Sequence, residues 1–204
     1  MSKLEKFAIN PTNEFHVLRH FEFVDEAYTK TLINKPYWYY DYAQKKYLAA
    51  HISQKDIDYA LETIGTKFYR NIEGIENPRK LLKLIQKKFV ALSLKNEIKW
   101  INEGERNIFA FTFAYAMDVG DMNCLTINKL TDSDKKNIQA ISRSECVGEE
   151  GVVVDTISGI ELLATNRIYV EIVETKQLPF FAITAFPDCS ANNNLSDDEL
   201  VFVV

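Results

Sequence analysis

NIFAFTFAYAM, residues 107–117, decides the class of this chain. Phe109, Phe111, Phe113, Tyr115 and Met117 alternate with Ile108, Ala110, Thr112, Ala114 and Ala116, the period of two that belongs to a β-strand. Both sets are apolar, so the strand is expected at the centre of its sheet, its small-residue side admitting a helix at close range. Downstream the same period recurs in Gly151–Ile157, Arg167–Thr175 and Phe180–Phe186, with a shorter run at Cys124–Asn128. Thr131 with Asp134 resembles a capping box and predicts a short helix toward Arg143. The tail passes from the turn-forming DCSANNNLSDDEL to the apolar VFVV, expected as an edge strand or a packed end.

Upstream of residue 100 the period is helical. Ser53 caps a helix with Ile57, Ala60, Leu61, Ile64 and Phe68 on one side, and Gly74 follows its expected end. Asn77 and Pro78 open a second helix with Leu81, Leu82, Ile85, Phe89 and Leu92 inward. The other side of that helix carries Arg79, Lys80, Lys83, Lys87 and Lys88. A further short helix is expected from Val24 to Asn34, broken by Pro36 before the aromatic segment PYWYYDYAQKKY. Eight of the ten tyrosines fall in the first hundred residues. Such a cluster reads first as a packed or interfacial shell, with base stacking the rarer use.

The fold class that follows is α+β, with amino-terminal helices packed on a mainly antiparallel sheet formed by the second half. With 47% hydrophobic residues in 204, and no Gly/Ser-rich or Pro-rich tract, the chain reads as a single compact unit. Its mostly helical half is 1–100 and its mostly β half 101–204. No segment has the length of a signal-peptide core or a membrane span, so a cytoplasmic protein is expected. Cys124, Cys146 and Cys189 lack the spacing of a disulfide framework or a zinc ribbon.

Charge divides the halves. Residues 1–100 hold 17 basic and 12 acidic side chains, net +5, and residues 101–204 hold 7 and 17, net −10. The acidic total argues against a general nucleic-acid scavenger and leaves a basic face in the first half as the place for a polyanion.

Few residues are candidates for chemistry. His16 and His20, in FHVLRHFE, share a face if helical. HVLRH lacks the glutamate of a zinc-peptidase helix, so proton transfer suits the pair better than metal ligation, and plain packing is the bland alternative. Arg143 either holds a phosphate with its planar fork or caps a helix end and neutralises Glu145, Glu149 and Glu150. Thr165 with Asn166, and Thr184 in the apolar run LPFFAITAFPDC (178–189), can converge as hydrogen-bond donors. Strand propensity and turn bonding also explain them.

HVLRH near the start, FAFTF and DVG at the sheet entrance, LLATN, and finally FFAITAFP together resemble the bacterial toxin nucleases related to barnase, EndoU and RelE. The resemblance implies His16 or His20 as general base or acid, Arg143 as phosphate stabiliser, and Thr165 and Thr184 as donors at the scissile phosphate. It implies metal-independent RNA cleavage through a 2′,3′-cyclic phosphate with no cofactor, and RNA binding on the Arg79–Lys88 helix face. The competing expectation is a non-enzymatic interaction protein, such as an immunity factor, an antitoxin or a phage-encoded inhibitor, whose acidic half covers a basic protein partner.

Overall fold

The structure is a computed structural model that describes residues 5–62, 66–122, 124–126, 152–154, 163–188 and 200–203, a few of them as backbone alone. It is an α+β fold. Four helices, α1 (Pro11–Leu18), α2 (Glu26–Lys30), α3 (Gln54–Glu62) and α4 (Pro78–Leu94), accompany a hairpin, β1 (Pro36–Asp41) with β2 (Lys46–His51). Then come β3 (Ile101–Glu103), β4 (Arg106–Ala114), β5 (Gly120–Met122), β6 (Cys124–Thr126), β7 (Val152–Val154), β8 (Leu163–Thr165), β9 (Arg167–Thr175), β10 (Ala182–Pro187) and β11 (Leu200–Val203).

The main sheet is antiparallel, in the order β10-β9-β4-β3. Its register puts Ile183, Ile172 and Phe109 in one row and Ala185, Val170 and Phe111 in the next. This face is the core: Ile172, Val170 and Ala185 are fully buried. Helix α4 lies against it through Phe89, whose ring stands 6.2 Å from Phe109 and 5.9 Å from Phe181. The expected cap is present, with the Asn77 side chain accepting from Lys80 N and Pro78 at the first turn.

Several expectations are corrected here. The helix packs on the phenylalanine face of β4 rather than its small-residue face, because the large rings remove more apolar area from water. Ala110 and Ala114, on the other side, stay exposed. The first half, expected as mostly helical, also holds a hairpin, most of it PYWYYDYAQKKY, with Tyr40 opposite Tyr47 and Lys45 taking the positive φ (50°) its turn needs. Helix α2 is shorter than the expected Val24–Asn34. Phe68 is not the last turn of α3: it is fully buried in bridges to Phe21 and Gly120. Its N–H donates to the His20 carbonyl at 2.7 Å, and Tyr69 N–H donates to the Val119 carbonyl at 2.8 Å. Gly74 therefore stands in a later turn, with φ 85°. The apolar tail forms β11, which is not an edge strand. It lies between β6, antiparallel, and β7, parallel, so both sides of its backbone are paired. The helix expected from Thr131 to Arg143, and with it Arg143, lies outside the described residues, as do Cys146 and Cys189.

One close approach fixes the DVG motif. A side chain at Gly120 would collide with the Lys67 carbonyl and stand 2.5 Å from Pro187 Cγ, so only glycine lets β5 pass between them.

Candidate active site

Helix α1 closes the free edge of β10, and a single amide does most of that work. The Asn13 side chain donates to the Phe181 carbonyl at 2.9 Å and accepts from Ile183 N–H at 3.0 Å, imitating a neighbouring strand. It also donates to the Ala8 carbonyl at 2.9 Å. Three residues further along the helix, His16 reaches the strand itself: its Nε2 lies 2.6 Å from Thr184 Oγ1. Two of the residues singled out in the sequence, 168 positions apart, are thus in direct contact.

Thr184 belongs to the face of the sheet opposite the core. Its row continues through Glu171 on β9 to Ala110 on β4, and the next row is Phe186, Tyr169 and Thr112. Glu171 is half-buried, and among the described residues its carboxylate has no hydrogen bond or ion pair. Ala110 beside it leaves room above the sheet. Arg106 stands toward one end of this open face and Arg167 toward the other, the latter 3.4 Å from the buried Asp188 carboxylate. Sequence reasoning passed over Glu171, although a signal existed: it is the one charge inside the apolar run IYVEIV.

His20 sits just past the end of α1, its ring 5.3 Å from that of Phe186, which in turn lies 5.0 Å from Tyr169. Its Nδ1 faces the Thr66 carbonyl at 3.4 Å, and since a carbonyl only accepts, that nitrogen carries the proton and Nε2 is the basic one. Both imidazoles are held neutral. Burial pushes the His16 pKa well below its ordinary 6.5, with the Arg19 guanidinium and then His20 adding to the effect. For His20, burial and then Arg19 bring it down to about 3, against the opposing bond to Thr66. Lys67 contributes to the same positive field. Its ammonium donates to the Arg19 carbonyl and to that of Leu61 at 3.2 Å, and burial, then Arg19, lowers its pKa to about 8. Among the described residues Arg19 has no carboxylate partner. A cationic corner without a counter-ion favours an anion.

The remaining expected site residues lie elsewhere. Thr165 is buried on β8, its hydroxyl accepting from Arg167 N–H at 3.2 Å and its carbonyl from Val119 N–H at 2.7 Å. Arg79 grips the buried Glu14 carboxylate, with Nε 3.1 Å from Oε2 and Nη2 3.2 Å from Oε1. Tyr28 donates to the same carboxylate at 2.6 Å, and Glu14 holds the Arg79 pKa above its usual value. Lys80 pairs with Glu76 at 2.9 Å, and the Lys88 ammonium lies 5.3 Å over the Phe113 ring. Lys83 and Lys87 are exposed. Because α4 covers the core face, the sheet separates its lysines from Thr184 and Glu171, which lie on the other face. Among the described residues no cluster of three or more His, Cys, Asp or Glu could hold a metal ion. No helix there is long and apolar enough to cross a membrane.

No family model matches the chain, and neither a curated protein nor a solved structure matches it.

Proposed function

We propose that the open face of the four-stranded sheet cleaves RNA without a metal, the substrate's own 2′-hydroxyl attacking phosphorus to give a 2′,3′-cyclic phosphate. The observation that carries this reading is Glu171, a carboxylate without a partner among the described residues, on the adjacent strand directly opposite Thr184, whose hydroxyl touches His16. A carboxylate and an imidazole on either side of one hydroxyl are the acid–base pair such a transfer needs.

The proton moves from the 2′-hydroxyl to Glu171 as the new P–O bond forms. The departing 5′-oxygen takes a proton from His16 as its bond to phosphorus breaks. His16 is neutral in the free protein, but an arriving phosphodiester offsets the Arg19 charge and favours the imidazolium. Thr184 is a positioning residue that fixes the ring. Arg19 and Arg106 draw the polyanion to the face, which answers the repulsion expected of an acidic chain.

Incubation of the protein with single-stranded RNA in EDTA, with end-group analysis, tests the reading. Cyclic-phosphate ends are expected, with Glu171→Gln and His16→Ala each slower by about 100-fold or more. Thr184→Val should lose less, and Thr184→Ser should regain it. RNA left intact at every protein concentration, or cleaved equally by Glu171→Gln, overturns the assignment.

A further inference from the structure

The hairpin β1–β2 has two faces with different fates. On one face Tyr37 meets Phe15 of α1 edge-on at 4.8 Å and seats the hairpin, while Tyr39 beyond it stays exposed. The other face bears Trp38, Tyr40 and Tyr47, and Tyr42 follows at the turn. Tyr40 touches Tyr42 at 5.1 Å and Tyr47 at 5.2 Å, both nearly edge-on, yet Tyr42 is 75% exposed and Trp38 38%. Three of these rings, Tyr40, Tyr42 and Tyr47, gather at the turn end of the ribbon, and with Tyr42 open to water there and Trp38 further along the same face they are more apolar surface than the fold itself requires.

The hairpin is fixed in place at both ends. Trp38 N–H donates to Thr12 Oγ1 at 3.1 Å, one helical turn before His16. At the other end Tyr47 N–H donates to Gln177 Oε1 at 2.9 Å, on the turn that joins β9 to β10. The Tyr47 hydroxyl lies within the fields of both Arg106 and Glu171. Its ring therefore borders the open face on the side away from His20 and Phe186. Lys45 at the turn and Arg106 below it have no carboxylate partner among the described residues, so the aromatic patch is rimmed by positive charge.

We infer that Tyr40, Tyr42 and Tyr47 form a stacking subsite for a base of single-stranded nucleic acid, seating the nucleotide next to the phosphate held at Thr184 and Glu171. The inference rests on the cleavage reading for the position of that phosphate. Aromatic rings stack on any base, and flanking cations follow the backbone, so the subsite selects an unpaired strand rather than a sequence. A duplex, with its bases stacked inward, does not satisfy it.

The test measures binding and leaves catalysis aside. Fluorescence anisotropy of a labelled, non-cleavable 2′-O-methyl single strand is titrated with Glu171→Gln protein, beside an abasic strand of equal length and a duplex. The base-bearing strand is expected to bind at least tenfold tighter than either control. Tyr42→Leu, at an exposed position, should remove about tenfold of that preference, and Tyr42→Phe should keep it. Equal affinity for the abasic and base-bearing strands, no binding of any strand, or a Tyr42→Leu variant that binds like its parent overturns the inference. Base-dependent binding by a protein that leaves RNA uncut would retain the subsite and remove the cleavage reading.

Discussion

The two faces of the β10-β9-β4-β3 sheet are made by the same strands and serve opposite ends. On one face Ile183, Ile172 and Phe109 sit in register and vanish beneath α4. On the other, shifted by one residue, Thr184, Glu171 and Ala110 sit in register and carry a hydroxyl, a carboxylate and a methyl group; among the described residues α1 reaches this row through His16 at the Thr184 hydroxyl. A central strand with an apolar residue at every second position needs only one of its faces to hold the fold together. The polar residues on the second face are then free of packing duty, and a charge kept there in the middle of β9 asks for a chemical explanation.

The sharpest way to break this contrast is to change neighbours in sequence on opposite faces. Ile172→Ala empties a fully buried position and should cost about 2–5 kcal/mol in urea unfolding. Glu171→Gln, one residue away, should leave stability within about 0.5 kcal/mol of the parent while stopping cleavage. A Glu171→Gln loss as large as that of Ile172→Ala would mean that the carboxylate holds the sheet together and the face is not open.

A second substitution tests how the site is hung on the sheet edge. Asn13→Ala leaves the Phe181 carbonyl and Ile183 N–H without their side-chain partner in a buried setting. Each such group costs roughly 1–3 kcal/mol, so a loss of about 2 kcal/mol or more is expected. His16 rides on the same helix, and activity should fall further than the lost stability accounts for. Asn13→Asp keeps the acceptor for Ile183 and gives up the donors, and should fall between.

The sequence displays these features unevenly, for physical reasons. Helix caps and strand alternation are local, and Asn77–Pro78, Arg167–Thr175 and the alternation in 107–117 read directly into α4, β9 and β4. His16 and Thr184 stood out by chemistry alone. Their contact did not, because 168 residues separate them and only the docking of α1 on the β10 edge joins them. Glu171 was hidden by the same cause, since its place opposite Thr184 depends on pairing register. The hairpin was missed because Pro36 reads as a breaker and because both of its faces are aromatic, which blurs the period of two. Arg79 looked like a free cation until the fold brought the buried Glu14 beneath it.

Acid separates the faces in another way. Both histidines at the open face have folded pKa values below their ordinary 6.5, that of His20 at about 3. Between those limits the unfolded chain takes up protons that the folded chain refuses, so stability falls as pH drops from about 6.5 toward about 3. Burial comes first for both rings, and Arg19, which adds to both shifts, and Lys67, which adds to that of His20, hold their charge throughout that window. A His16→Gln/His20→Gln variant should show a flatter decline in thermal midpoint over the same range. An unchanged slope would place the histidines in ordinary solvent.

The smallest effect is expected where charge is most conspicuous. Lys83→Glu with Lys87→Glu reverses two exposed cations on α4, which packs on the face of the sheet opposite Thr184 and Glu171. Neither has a carboxylate partner among the described residues, so stability should hardly move. If RNA lies on the open face, the sheet stands between it and these exposed charges, which salt screens over roughly 8–10 Å. Affinity for a single strand should then change by less than about threefold, and its salt dependence should keep the parent slope. Arg106→Gln, on the open face itself, should lower that slope by about one. The opposite pattern, with binding lost from α4 and kept at Arg106, would move the polyanion to the helical side and leave Glu171 without a substrate.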